Sequence, residues 1–453
     1  MTGRRKILIV AYPGQGHINP SLRFAKRLLN MGVDVTYSTS LSAIRRIDMK
    51  TTPHGLTFSP FSDGHDNGQQ PNTTLQQFVS DFATNGASAV AEIISSATAA
   101  GQPFDHLVYT TVAPWVARVA DDHSIKSTVL WCQSATAMDV YYYHFDGYQG
   151  LISNNNDNPT FPINFPGLPP LTIADLPSFF LPSNANENHF VLSLLKDHVY
   201  ALKLSPTILV NSFNELELES IKAIEKLVYL PIGPLVPSEF LDGKDSMNAY
   251  SGDDFFNKPE DDYIQWLNTK PKSSVVYVSF GTLANLSMDQ MEEVASGLLE
   301  IRRPFLWVIR DSSIAEKLSK IEELQKQGKI VNWCSQVKVL CHEAIGCFVT
   351  HGGWNSTVEA VAGGVPLVVF PQWADQATNG KMIEDVWRTG VRVRRRREGD
   401  GMGEGREIER CVEMVMGDEK MKRNAEKWKG LAREALSYGG SSTINLQAFL
   451  DDI

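Results

Sequence analysis

The stretch from Phe348 to Ala362, FVTHGGWNSTVEAVA, combines residue types that can meet a phosphate and a sugar together. An apolar run ends at Thr350, His351, Gly352 and Gly353 form a tight turn, and helical sequence opens near Trp354 to Ser356. A glycine turn that opens a helix after a strand presents unpaired backbone N–H groups to an anion, and the helix dipole favours the same charge. Asn355 and Ser356 add side-chain donors, and His351 can donate to a phosphate oxygen. Glu359 follows one turn later on the same side. A carboxylate repels phosphate, but it accepts from two ribose hydroxyls. Taken alone, the turn is also compatible with an ordinary helix start.

His17 is the second residue of chemical interest. It ends the run Pro13-Gly14-Gln15-Gly16-His17, just past the apolar segment Lys6 to Ala11. That places it at the carboxyl end of a parallel strand, where α/β proteins bind ligands. Imidazole suits general-base work near neutral pH, although a lone histidine before a helix is often structural. Gly14-Gln15-Gly16 is not a full dinucleotide fingerprint, because Asn19 occupies the third glycine position, and no Walker loop is present. The five cysteines, Cys132, Cys334, Cys341, Cys347 and Cys411, are odd in number and fit no zinc spacing, which predicts reduced thiols and a cytoplasmic protein.

These residues need a scaffold. The chain has 453 residues, more than one core usually organises, so two domains are expected. Short apolar runs at Lys6–Ala11, Val33–Ser38, His106–Tyr109, Ser127–Trp131 and Thr207–Asn211 predict a parallel sheet in the first half. Runs at Val275–Phe280, Phe305–Ile309, Cys347–Thr350 and Pro366–Phe370 predict a second. Ser287 with Gln290 forms a capping-box pattern for a helix over Ser287–Leu299. The expected division is an N-terminal domain over 1–236, a linker over 237–259, a C-terminal domain over 260–436, and a final helix over 437–453 that returns to the first domain. That helix has Ile444, Leu446, Phe449 and Leu450 to cover. Arg392 to Arg397 reads as a solvated strand edge. A net charge of −10 argues against a nucleic-acid partner, and no run approaches a membrane span. A monomer is expected.

The segment Trp333 to Gln376, with its opening Trp-x-x-Gln, its His-x-Gly-Trp-Asn-Ser centre and its closing Asp-Gln, resembles the signature box of plant family-1 UDP-glycosyltransferases. The early Pro-Gly-x-Gly-His and the turn Val-Ser-Phe-Gly-Thr agree with that family. The resemblance implies an α/β fold of the GT-B type, two Rossmann-like domains facing a cleft. It implies Trp333 stacked on uracil and the Cys334 backbone at the uracil edge. Gln336 and Glu359 fall to the ribose. Thr282, His351, Gly353, Asn355 and Ser356 fall to the diphosphate, and Trp354, Trp373, Asp375 and Gln376 to the sugar. Gln376, where galactose users often carry His, implies UDP-glucose. Gly352 stands where many relatives have Cys, and little consequence is expected.

The same resemblance makes His17 the base. Relatives usually orient it with an aspartate in a Val-Tyr-Asp pattern, whereas this chain reads Val108-Tyr109-Thr110. Thr110 can fix the tautomer but cannot stabilise imidazolium. A weaker base points to an acidic acceptor: a flavonoid or anthocyanin hydroxyl (5-O or 7-O), or a carboxyl group that becomes a glucose ester. Val-Tyr-Thr is similar to the branch holding anthocyanin 5-O-glucosyltransferases and the crocetin and abscisate enzymes. A single displacement implies inversion; no metal and no cofactor beyond the donor are expected. Phe61, Phe82, Tyr142, Phe145 and Phe180 are candidates for the acceptor wall. A non-catalytic UDP-sugar binder is the competing reading of another class.

Overall fold

The structure, a computed structural model, describes residues 4–49, 52, 54–181, 185–237, 262–282, 286–394 and 404–453, with backbone alone at 185–188. The first sheet has seven strands: β1 (Lys6–Val10), β2 (Asp34–Ser38), β3 (Thr57–Phe58), β4 (His106–Thr110), β5 (Ser127–Trp131), then, past a small antiparallel pair β6 (Pro162–Ile163) and β7 (Leu171–Thr172), β8 (Thr207–Val210) and β9 (Val228–Pro231). Their order is β3-β2-β1-β4-β5-β8-β9 and every pairing is parallel. The second sheet comprises β10 (Val275–Ser279), β11 (Phe305–Val308), β12 (Lys329–Val331), β13 (Ile345–Thr350), β14 (Leu367–Val369) and β15 (Gly390–Arg392). Its order is β12-β11-β10-β13-β14-β15, again all parallel.

Both sheets are covered on both faces, which is why their central strands are unbroken apolar runs rather than alternating ones. Leu8 and Val10 pack into one apolar cluster of the first half, and Ile7 and Ile9 into another on the opposite face. Tyr277 and Phe348 likewise face one second-half cluster, while Val276 and Cys347 face the other. The helix predicted from Ser287 spans Met288–Ile301, and its capping box is formed: Ser287 accepts from the Gln290 N–H and Gln290 from the Ser287 N–H.

Two helices set the site. One, Gln15–Asn30, starts just beyond β1; the other, Trp354–Gly363, starts just beyond β13. Their first turns meet, with Asn355 Nδ2 donating to the Gly16 carbonyl at 2.8 Å. The carboxyl ends of the two sheets therefore face one another, as a cleft site requires. Elsewhere, the Ser178 N–H donates to the Ala374 carbonyl at 2.9 Å and the Thr378 hydroxyl to the Asp175 carbonyl at 2.7 Å.

The last helix, Ser441–Asp452, buries Leu446, Phe449 and Leu450 against Ile7, Phe24 and Val35 of the first half. Asn445 Nδ2 donates to the Pro231 carbonyl at 2.8 Å. Ile444 differs from expectation: it is 57% exposed, because it lies off the stripe defined by the other three. Arg392 differs too. It is no solvated edge residue; its guanidinium pairs with Asp175 of the first half and with Glu384 at 2.9 Å. The expected linker lies outside the described residues from 238 onward, as do Arg395 to Arg397. Among the described residues no helix is long and apolar enough to cross a membrane.

Candidate active site

The turn expected to meet a diphosphate lies at the start of the helix Trp354–Gly363. The first intrahelical bond runs from the Thr357 N–H to the Gly353 carbonyl, so the N–H groups of residues 354–356 have no partner within the helix. His351 sits between two glycines. A side-chain carbon at Gly281 would lie 2.7 Å from its ring, and one at Gly353 would lie 2.5 Å from it. Gly281 also takes φ +74° in the turn after β10, immediately before Thr282. His351 Nδ1 lies 3.2 Å from the Thr350 hydroxyl, and burial lowers the imidazole to about 4. If that hydroxyl donates to Nδ1, a neutral ring carries its proton on Nε2, toward the anion.

Gly352 matters more than its sequence position suggested. It holds φ +82°, and a side-chain carbon there would sit 2.5 Å from Val369 Cγ1. Its carbonyl accepts from Asn379 Nδ2 at 3.0 Å. Asn355 also departs from its expected role. Its amide donates to Gly16, and its carbonyl lies 3.4 Å from Asn211 Nδ2, so the side chain joins the two halves while its backbone N–H remains at the helix start. Trp354 behaves similarly: its indole is buried and donates to the Asn211 carbonyl at 2.8 Å, which removes the side chain as a sugar contact.

Gln336 and Glu359, the residues expected to meet a ribose, are brought into contact. Gln336 Nε2 donates to Glu359 Oε2 at 2.7 Å and to the Ser356 hydroxyl at 3.0 Å. Tyr277 orients Gln336 by donating to Oε1 at 3.3 Å, and the Tyr263 hydroxyl accepts from the Ser335 N–H at 2.9 Å. Together the two tyrosines hold the turn that carries half-buried Trp333 and buried Cys334.

The loop that leads into the helix Gln376–Lys381 is held by that helix's first side chain. Gln376 Oε1 accepts from the N–H groups of Gln372 (2.8 Å) and Trp373 (2.9 Å), which leaves its amide N–H pair for other partners. Asp375 accepts from Asn379 Nδ2 at 2.9 Å, and burial raises its carboxyl to about 6. Asn379 Oδ1 in turn accepts from the Ser134 hydroxyl of the first half at 3.0 Å. Trp373 meets Phe179 edge-on at 5.1 Å. A donor-only amide and an acceptor-only carboxylate stand side by side, a pairing suited to adjacent sugar hydroxyls.

Across the cleft, His17 Nδ1 is buried without a hydrogen-bond partner. Burial lowers the imidazole to about 4, so it is neutral at pH 7. The Thr110 hydroxyl does not fix its tautomer as expected. It accepts instead from the Tyr12 N–H at 3.0 Å, tying the turn after β1 to the end of β4. Tyr12 packs edge-on against His17 at 5.2 Å. A second histidine, His198, is lowered to about 3 by burial and by the nearby His17. His198 accepts from the Val112 N–H at 3.2 Å and so supports a residue held at φ +83°. Neither Tyr12 nor His198 carried any sequence signal.

The expected acceptor wall splits. Phe82 is fully buried and Phe61 nearly so; they pack behind Tyr12, with Phe82 edge-on to it at 5.4 Å. They stand behind Tyr12 in the core and not at a free surface. Phe180 is mostly covered, stacked on His144 at 4.2 Å, while Tyr142 and Phe145 remain half-buried.

Comparison with known proteins places this geometry. Residues 247–434 match the family described as UDP-glucoronosyl and UDP-glucosyl transferase. UDP-glycosyltransferase 75C1 of Solanum lycopersicum is 51% identical, over 98% of this chain and 97% of that protein. Crocetin glucosyltransferase, chloroplastic, of Gardenia jasminoides is 50% identical, over 100% and 98%. The solved structure of Os79 from O. sativa in complex with UDP superposes with a TM-score of 0.85 at 31% identity, over 98% of this chain and 99% of that one. With a GT-B pair of parallel sheets, a helix start open to an anion and a Gln–Glu pair beside it, the chain belongs to the plant family-1 UDP-glycosyltransferases.

Proposed function

We propose that the protein is an inverting glucosyltransferase that moves glucose from UDP-glucose to an acidic oxygen of a plant secondary metabolite, a flavonoid or anthocyanin hydroxyl at the 5-O or 7-O position. The observation that carries the acceptor class is His17, a neutral imidazole lowered to about 4 with no partner on Nδ1. A base that weak removes a proton from a phenol far more readily than from an alcohol. The acceptor oxygen attacks the anomeric carbon as its proton passes to His17. The bond from that carbon to the diphosphate oxygen breaks, its electron pair leaves with UDP, and the α-linked donor gives a β-glucoside.

Trp333 stacks on uracil, with the Cys334 backbone at the base edge. Gln336 and Glu359 hold the ribose. Thr282, His351, Ser356 and the backbone from Gly353 onward meet the diphosphate, where fixed N–H groups stabilise the departing charge. Trp373, Asp375 and Gln376 hold the glucose. Thr110 serves the base indirectly, through the Tyr12 turn. No cofactor is required beyond the donor. A carboxylate acceptor giving a glucose ester is the second reading; it needs no base at pH 7, and a relative named for crocetin favours it.

The test is UDP release from UDP-glucose over a panel of flavonoids, anthocyanins and carboxylic acids, with products identified by mass spectrometry. His17→Ala should lose about 10²-fold or more toward hydroxyl acceptors. Intact turnover of flavonoid hydroxyls by that variant would remove His17 as the base. Tight UDP binding without product from any acceptor would leave a binding protein instead.

A further inference from the structure

Glu359 has a partner that neither the box nor its spacing reveals. Arg23, on the helix Gln15–Asn30 that also carries His17, places Nη1 3.3 Å from Glu359 Oε1. Both side chains are nearly buried, at 8% and 10% exposure. The same Nη1 donates to the Leu235 carbonyl at 3.1 Å, at the end of the described part of the first half. Arg23 Nε is buried and without a partner. Arg23 therefore reaches from the acceptor half into the ribose subsite of the donor half.

Carboxylate geometry shows what this does. Glu359 offers two lone-pair sites on each oxygen. Gln336 occupies one on Oε2 and Arg23 one on Oε1. One site remains on each oxygen, and two ribose hydroxyls need two acceptors. With Gln336 alone, only Oε2 is held and the plane of the carboxylate is left unset. With Arg23 on the other side, both oxygens are fixed. The contact from Asn355 to Gly16 joins the same two helices nearer the phosphate end. Ribose recognition is thus coupled to the seating of one half on the other, and so to the placement of His17.

We propose that Arg23 is a positioning residue for the donor: it fixes Glu359 for the ribose hydroxyls and makes that subsite a property of both halves. This rests on the reading of Glu359 as the ribose acceptor. A carboxylate left in the same place without its guanidinium remains buried and mobile, which weakens binding of hydroxyl-bearing nucleotides selectively.

The experiment titrates UDP and 2′,3′-dideoxy-UDP calorimetrically into the wild-type protein and into Arg23→Met, Arg23→Gln, Arg23→Lys and Glu359→Gln, each checked by thermal melting. The wild type should prefer UDP by about 10-fold or more. Arg23→Met should cut that preference at least about fivefold, mainly by weakening UDP, and Arg23→Lys should restore most of it. Arg23→Gln carries the same expectation as Arg23→Met should the latter fail to fold. Equal weakening of both nucleotides, or an unchanged preference, in a folded Arg23 variant overturns the proposal while Glu359→Gln still loses the preference. A wild type without any preference, matched by Glu359→Gln, removes the ribose reading of Glu359 itself and the proposal with it.

Discussion

Replacing Thr110 by aspartate tests the link between His17 and the acceptor class. The Thr110 side chain is fully buried and its hydroxyl accepts from the Tyr12 N–H. An aspartate there can keep that bond with one oxygen and offer the other to the unpartnered His17 Nδ1. Burial holds the imidazole near 4, and a neighbouring carboxylate favours its protonated form. Recovery to the ordinary histidine value of 6.5 favours imidazolium by about 3 kcal/mol. If half of that basicity is expressed in the transition state, hydroxyl acceptors should react on the order of 10-fold faster. At pH 7 such a histidine is still mostly neutral, so little is lost to protonation. The assay is kcat/KM against pH for a weakly acidic hydroxyl acceptor and for a carboxylic acid, with thermal melting alongside. The variant should gain on the hydroxyl alone, and the acid limb of its profile should move up from about 4 toward 6–7. Equal changes for both acceptors, or an acid limb that does not move, would refute the reasoning that His17 lacks a carboxylate and that this selects the acceptor.

Two further outcomes follow from the donor half. Gly352→Cys should lower stability by about 2–4 kcal/mol, from the left-handed φ of +82° and the approach to Val369, and Val369→Ala should recover part of it in a denaturation cycle; full additivity would deny the contact. Asp375, raised to about 6 by burial, takes up a proton as pH falls through that value and, in the proposed role, then no longer accepts from the glucose. Affinity for UDP-glucose, whose diphosphate diester does not titrate there, should therefore drop below about pH 6, and Asp375→Asn should abolish that pH dependence; an unchanged drop in the variant would place Asp375 outside the sugar site.

Much of this protein is legible in its residues because local rules govern those parts. Central strands such as β1, β4, β10 and β13 read directly, since burial on both faces requires unbroken apolar runs. The glycine turn before Trp354 reads because only glycine leaves room for the His351 ring. The edge strands β3, β12 and β15 were not legible: two or three residues long, they present too little pattern to distinguish from loop. The 25-residue helix Leu75–Ala99 was also missed; it buries Phe78, Phe82, Gly86, Val90 and Ile94, a stripe diluted by alanine and serine.

The contrast is sharpest at the cleft. The sequence by itself determined the donor chemistry, because one strand, one turn and one helix place His351, Ser356 and Glu359 within a few residues of each other. What only the tertiary structure decided is how the two halves act on those residues. Arg23 on Glu359, Asn211 under Trp354 and Ser134 on Asn379 are contacts across long sequence separations. No spacing rule encodes them. They depend on the packing of one sheet's carboxyl end against the other's, and on which polar groups that packing leaves in need of a partner.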